Sequence, residues 1–181
     1  VALGEHKLDA LFYRAAGRNR HPEVAAYRLD RLLGVDMVPV TVRRTVNGKD
    51  GALQLLPSRL TDEATRAEMR AGGDAWCPLP SQWSAMYLFD ALIQQPGRNG
   101  QQLMYDQANW RLVLAGHGDA FGTRGGRPAY LKNATLNVSG AWRQALAGLT
   151  VSSLEELVGD VLDARRQKAL LRRRDELLET G

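Results

Sequence analysis

The most informative segment of the chain is MYLFDALIQQPGRNGQQLMYDQANWRLVLAGHGDAFG, residues 86–122. It opens with apolar residues at helical spacing, and Pro96 ends the predicted helix because proline cannot continue one. A polar loop follows at residues 97–102. Two runs rich in strand-forming residues, 103–105 and 110–114, flank a four-residue turn and predict a β-hairpin. The segment therefore predicts a helix, a loop, a hairpin and a final turn punctuated by glycines.

The residues before this segment predict a small sheet and a helix. Residues 8–15 indicate a strand. A broad apolar stripe, with Pro22 near its start and Gly34 after its end, indicates a helix between these two residues. Alternating β-branched residues around Asn47 and Gly48 predict a second hairpin, because both turn residues tolerate positive φ.

The pattern is weaker between residues 58 and 80. A short helix from Asp62 to Arg70 is predicted with Thr61 as its N-terminal cap. Trp76 is expected to pin the loop that follows to the core. Ser81 is the expected cap of the long helix that enters the central segment.

The C-terminal part of the chain reads as three helices. Ser153 and Glu156 have the spacing of a capping box at the start of the second. The arginine-rich tract at residues 165–174 is interpreted as a solvated helix face, because acidic residues are interleaved with it. For the same reason nucleic-acid binding is not expected, although basic residues outnumber acidic ones by 24 to 20.

The composition is that of an ordinary globular domain. Of the 181 residues, 44% are hydrophobic and 24% are charged, which suits one domain with a substantial core. Neither a membrane span nor a signal peptide is expected, so a cytoplasmic location is favoured. The single Cys77 excludes an internal disulfide and a cysteine-based metal cluster. The chain reads as one structural unit or a fragment of a longer protein.

The order of helix, polar loop, hairpin and glycine-punctuated turn resembles the catalytic centre of the protein-kinase-like fold. The sequence motifs are similar to those of the atypical branch that includes phosphoinositide-kinase-like proteins, HipA-type kinases and secretory-pathway casein kinases. There the loop reads roughly D-R-[HN]-x-x-N and the later turn I-D-x-G-x-A-F. Arg98 and Asn99 match the loop, and Gly118, Ala120 and Phe121 match the turn. The upstream phrase HPEVAAYRLDRLLGVDMVPVTV resembles the corresponding part of the same branch.

The resemblance also marks three positions where the residues needed for phosphoryl transfer are replaced. The loop Asp that orients the attacking hydroxyl falls on Gly97, and the metal-binding Asn falls on Gln102. The Asp that holds magnesium falls on Gly116. A glycine has no side chain that accepts a proton or binds a cation, so the usual base and metal anchor are lost.

The lysine that binds the phosphates of ATP in the protein-kinase-like fold is replaced as well. Tyr13 or Arg14 stands where the resemblance places it, and an arginine is a poor substitute for a lysine. Glu23 matches the helix glutamate that normally pairs with that lysine. Glu23 is therefore expected to pair with Arg14 or Arg98. Alternatively, Glu23 is a first-turn residue whose negative charge is favoured by the helix dipole.

His117 and Asp119 border the replaced magnesium position. His117 is expected to make a structural hydrogen bond, and the alternative is a metal site in which Asp119 supplies a second ligand. Asp119 lies three residues from Gly116, a displacement that reorients a side chain, whereas metal ligands must lie within about 0.2 Å of their ideal distances. A metal site is therefore not predicted.

Together these features predict an α+β, two-lobed kinase-like fold with a reduced N-lobe, residues 1–57, and a mainly helical C-lobe, residues 58–181. The predicted function is that of a pseudokinase, a catalytically inactive binding or regulatory module with a protein partner or adjoining domain. No cofactor is expected. The alternative is a divergent kinase or nucleotidyl transferase with noncanonical metal ligands, which would use ATP and magnesium. The possible cleft residues are Arg14, Glu23, Arg98, Asn99, His117 and Asp119.

Overall fold

The fold is α+β, the class predicted from the sequence. The computed structural model describes residues 2–3, 6–15, 17, 20–98 and 103–180, with backbone alone at 2, 3, 6, 7 and 180. The described strands are β1 (Ala2–Leu3), β2 (His6–Lys7), β3 (Ala10–Arg14), β4 (Thr41–Val46), β5 (Lys49–Leu55), β6 (Leu60–Asp62), β7 (Leu103–Asp106) and β8 (Arg111–Leu114). The described helices are α1 (Pro22–Leu33), α2 (Glu63–Glu68), α3 (Leu79–Ile93), α4 (Gly140–Ala147), α5 (Val151–Val158) and α6 (Ala164–Thr180), with a short 3-10 helix at Ala129–Leu131. Asn99 and Gln102 lie outside the described residues.

The first three-stranded sheet is antiparallel and has the order β3-β5-β4. Strands β4 and β5 form the predicted hairpin around Asn47 and Gly48, whose φ angles are 50° and 72°. Two left-handed residues match the twist of the flanking strands, so this turn fixes the register.

The second three-stranded sheet has the order β6-β7-β8. Strands β7 and β8 are the predicted central hairpin, with Asp106 opposite Arg111. Strand β6 was not predicted, because three residues carry too little periodicity and its partner β7 lies about forty residues further along the chain. Thr61 pairs with Tyr105 in this strand, so the cap of α2 is Asp62, whose carboxylate accepts the backbone N–H of Thr65.

The bounds of α1 are those predicted from the sequence. It begins at Pro22, and Gly34 ends it with a φ of 67°, donating its N–H back to the last turn. Helix α3 begins earlier than predicted, because Pro78 rather than Ser81 stands at its cap position and the N–H of Ser81 bonds inside the first turn. Gln94, with a φ of 53°, ends α3.

The hydrophobic core lies between the helices and the two larger sheets. Helix α3 packs on α6 and β8, and α1 packs on α4, α5 and β4. Large buried apolar side chains come from α1, α3, β7 and the turn after β8, among them Leu29, Phe89, Tyr105 and Phe121. Among the described residues, no helix has the length and apolar character needed to span a bilayer.

Three local predictions differ from the structure. Trp76 is 86% exposed, so it does not pin its loop to the core. Thr150 caps α5 in a box with Ser153, one turn before the predicted one. The arginine tract is not wholly solvated, because Arg173 on α6 is only 1% exposed.

Candidate functional site

Gly97 and Gly116 lie on either side of one buried side-chain amide. Nε2 of Gln95 donates hydrogen bonds to the carbonyl oxygen of Gly97 at 3.0 Å and to that of Gly116 at 3.2 Å. Gly116 has a φ of 72°, in the left-handed region that glycine enters without a Cβ clash. The loop after α3 and the turn after β8 are therefore joined at the two positions singled out in the sequence.

Glu23, in the first turn of α1, is hydrogen-bonded to His117. Nδ1 of His117 lies 2.9 Å from Oε2 of Glu23, and both side chains are buried. His117 thus makes a buried structural hydrogen bond, as expected. The partner of Glu23 is therefore His117 and not, as was predicted, Arg14 or Arg98. The ring of His117 packs edge-to-face against the ring of Phe89.

Arg98 fixes the tautomer of His117. Nη2 of Arg98 lies 3.3 Å from Nε2 of His117, and a guanidinium can only donate. Nε2 is therefore the acceptor, and Nδ1 carries the proton that it donates to Glu23. With one ring nitrogen donating and the other accepting, the imidazole carries a single proton.

Arg98 is held by Asp90, a residue that sequence reasoning missed. Nε and Nη2 of Arg98 donate to the two carboxylate oxygens of Asp90 at 2.7 and 2.6 Å, and Nη1 donates to the carbonyl of Ala115 at 3.1 Å. The hydroxyl of Tyr130 donates to the same carboxylate at 2.6 Å, and burial followed by the charge of Asp90 raises the pKa of this tyrosine. The available signal was a carboxylate in the apolar run of α3, since a buried charge requires a partner.

A continuous polar chain is therefore formed by Glu23, His117, Arg98, Asp90 and Tyr130; the first four side chains are buried, whereas Tyr130 is 41% exposed. This polar chain connects α1, the turn after β8, the loop after α3, α3 itself and the 3-10 helix. We call these five residues the polar chain. Each of the five is bonded to the next, so the arrangement holds these backbone segments together, with Glu23 at one end and Tyr130 at the other.

Tyr13 and Arg14 lie on β3, at the two positions where the resemblance places the phosphate-binding lysine. The hydroxyl of Tyr13 lies 3.5 Å from Oε1 of Gln54, and burial followed by the nearby charge of Glu23 raises the pKa of Tyr13 to about 12. Arg14 is exposed. The cation predicted as a substitute for the lysine is therefore in solvent, and the inward position carries a neutral phenol.

A cavity of about 270 Å³ opens between β3 and the start of α1. It is lined by Phe12, Tyr13, Arg14, Ala15, His21, Pro22, Glu23, Ala52 and Gly118. We call it the Glu23 pocket. The pocket brings together three residues on which the resemblance to kinases drew, namely Arg14, Glu23 and Gly118. His21 is buried, and burial foremost lowers its pKa below the usual value.

Asp119 is not part of the Glu23 pocket. It is exposed and lines a shallow depression of about 570 Å³ together with Arg124, Arg127 and Arg166. His117, two residues earlier, points into the polar chain. The two candidates for a shared metal site are therefore directed to different environments.

The described part of the chain contains no cluster of three His, Cys, Asp or Glu side chains suited to a metal ion. No protein-family model matches this chain, and the search of curated proteins finds no match.

Proposed function

We propose that this chain is a catalytically inactive kinase-like domain that serves as a binding or regulatory module. The observation that carries the proposal is the contact of Gln95 with both Gly97 and Gly116. The two glycines that the resemblance assigns to reactive carboxylates are hydrogen-bonded to the same side-chain amide, and neither has a side chain. The positions flanking them, Arg98 and His117, are engaged in the polar chain instead of facing a substrate.

The charge of the Glu23 pocket supports a module that does not use ATP. The buried carboxylate of Glu23 lines the cavity, and the inward residue of β3 is the neutral Tyr13. A triphosphate would meet a negative group where a phosphate-gripping cation is needed. Arg14 is exposed to solvent, which screens its attraction for a phosphate.

An exposed tryptophan supports a protein partner or an adjoining domain. Trp76 lines a second cavity of about 230 Å³, with apolar walls from Leu33, Met37, Ala85 and Trp142. Tryptophan is enriched at the centres of protein interfaces, where one large side chain contributes much of the binding energy. A partner that inserts an apolar side chain between Trp76 and Trp142 fits this surface.

Transfer assays with labelled ATP and magnesium test the proposal. We expect no incorporation into the protein or into added substrate proteins, and no rise in unfolding temperature with ATP and magnesium, since only ligands that bind the folded state stabilise it. The triple variant Gly97→Asp, Gln102→Asn, Gly116→Asp, compared with Gly97→Ala, Gln102→Ala, Gly116→Ala, tests the ancestry. Metal-dependent nucleotide binding by the first variant alone supports it. Magnesium-dependent transfer by the unaltered chain would overturn the inactive assignment.

The alternative is a divergent kinase or nucleotidyl transferase centred on Asp119. The observation that favours it is the depression that Asp119 shares with Arg124, Arg127 and Arg166, since arginines can contact phosphates and a carboxylate can hold magnesium. Transfer activity that disappears in Asp119→Ala and persists in Asp106→Ala would establish this alternative.

A further inference from the structure

We propose that the Glu23 pocket binds a cationic N–H donor, an alkylammonium or guanidinium head group. The inference rests on the proposed binding role of this domain and names the ligand chemistry of its cleft. It is carried by two buried acceptors that line the cavity, by the charge balance behind them and by the apolar walls beside them.

The first acceptor is the second oxygen of Glu23. Oε2 is bonded to His117, whereas Oε1 is buried without a hydrogen-bond partner among the described residues. The residue as a whole is 2% exposed and lines the pocket. An unsatisfied buried carboxylate oxygen is costly, and a donor placed in the pocket would remove that cost.

The second acceptor is the imidazole of His21, which is 1% exposed and lines the same cavity. Its Nε2 lies 3.3 Å from Oδ2 of Asp50, within ion-pair distance though outside hydrogen-bond geometry. The carboxylate favours the proton on Nε2, which leaves Nδ1 as an acceptor. Nδ1 has no partner within the described part of the chain. Two acceptor-bearing side chains that line one cavity suit an ammonium, which has three donors, or a guanidinium, which has five.

The charge of the polar chain also favours a cation. Glu23 and Asp90 are carboxylates, Arg98 is the one guanidinium between them, and His117 is neutral in the tautomer that Arg98 imposes. The chain therefore carries an excess negative charge, and it ends at the pocket. A cation bound there would interact with it across a short, poorly solvated distance, where electrostatic attraction is strong.

The pocket is small, and apart from Arg14 and the hydroxyl of Tyr13 its remaining lining side chains are apolar. A volume of about 270 Å³ has room for a short side-chain-sized molecule, and Phe12 and Ala52 supply surface for a methylene stem. Arg14 lines the pocket but is exposed, so the high dielectric of water weakens its repulsion of a bound cation. The same chemistry is available from a free aliphatic amine or from a lysine or arginine side chain of a partner protein.

Calorimetric titration of the whole chain with butylammonium, ethylguanidinium and N-acetyl-lysine amide tests the inference. Tetramethylammonium is the matched control because it has the same charge and no N–H donor. We expect binding of the first three at millimolar concentration or tighter and none of the control. A preference for butylammonium points to a free amine, and a preference for the lysine derivative points to a partner's side chain; either supports the inference.

Two substitutions connect the binding to the named acceptors. Glu23→Gln should weaken binding by about tenfold or more, which corresponds to the loss of a charge-assisted hydrogen bond. Glu155→Gln on α5, an exposed carboxylate away from the pocket, should leave it unchanged. His21→Ala is the second route if Glu23→Gln does not fold, because the side chain of His21 makes no capping bond to α1.

Amide chemical shifts provide an independent readout, with changes expected at Ala52 and Gly118. Absence of binding by all three N–H donors, equal binding of tetramethylammonium, or undiminished affinity in both Glu23→Gln and His21→Ala would overturn the inference. These outcomes are separate from the proposed function, because magnesium-dependent transfer would overturn that function whether or not an amine binds.

Discussion

Glu23 and His117, separated by 94 positions in the sequence, are joined by a buried hydrogen bond of 2.9 Å. The bond links the first turn of α1 to the turn that follows β8. In the kinase resemblance, a glutamate at this place pairs with a lysine that holds phosphates. Here its partner is a neutral imidazole whose other nitrogen faces Arg98. The local architecture is therefore held together by side chains that are bonded to one another.

Removal of the Arg98 guanidinium should be severely destabilising. Arg98→Met leaves the Asp90 carboxylate buried and without its bidentate partner, and breaking such a pair costs about 3–5 kcal/mol. Urea unfolding measures the loss. Arg43→Ala, which breaks an ion pair between two solvent-exposed side chains, is the control and should leave the midpoint nearly unchanged.

The same pair can be tested by a double-mutant cycle. Asp90→Asn combined with Arg98→Met removes both charges, so the double variant should lose less stability than the sum of the two single variants. Additive losses would show that the two side chains do not interact in the folded protein.

The left-handed backbone of Gly116 should make it sensitive to any side chain. Gly116→Ala is expected to cost about 1 kcal/mol or more, because Cβ meets the following carbonyl at a φ of 72°. Gly97 is the matched position, since a Cβ built there meets no atom within 4 Å and its φ is not positive. Gly97→Ala should change the unfolding temperature little. Equal effects of the two substitutions would contradict the assigned backbone geometry.

Asp30 should make the protein less stable as pH rises from about 4 to 6. Burial, foremost, raises its pKa from 3.8 to about 6, although its carboxylate accepts the N–H groups of Met37 and Val38. The folded state therefore binds a proton that the unfolded state releases in this window. Ionisation of the buried group then removes on the order of 3 kcal/mol of stability by the time the pH exceeds 6.

Asp30→Asn isolates this contribution, because the amide oxygen still accepts both backbone donors and cannot ionise. Free energies of unfolding at pH 4.5 and 7.5 should differ less in Asp30→Asn than in the unaltered chain. An identical pH dependence in the two proteins would show that Asp30 does not titrate in this range.

Arg173 should contribute far more to stability than its neighbour Arg172. Arg173 is buried and donates to the carbonyls of Leu92, Gly122 and Arg124, and burial lowers its pKa to about 10. Arg173→Leu leaves these acceptors unpaired and should cost about 3 kcal/mol. Arg172→Leu removes one bond from an exposed side chain and should cost less than about 1 kcal/mol. Similar unfolding midpoints for the two variants would rule out the structural role of Arg173.

Local patterns predicted several elements closely. The bounds of α1, the turn at Asn47 and Gly48 and the pairing of the central hairpin each depend on residues a few positions apart. Capping residues were less predictable, because Thr61 is recruited into β6 by a strand some forty positions away and Asp62 then takes its place. The two-lobed kinase-like arrangement and the inactive function remain proposals.

The sequence by itself determined most of the helices and turns, and that positions 97 and 116 have no side-chain carboxylate. Only the tertiary structure decided that Glu23 meets His117, that Asp90 holds Arg98, that Arg173 is buried and that Trp76 is exposed. The physical reason is the range of the forces involved. Backbone conformation responds to neighbours within a turn or two, whereas the burial and pairing of a long polar side chain depend on whichever distant segment excludes water around it.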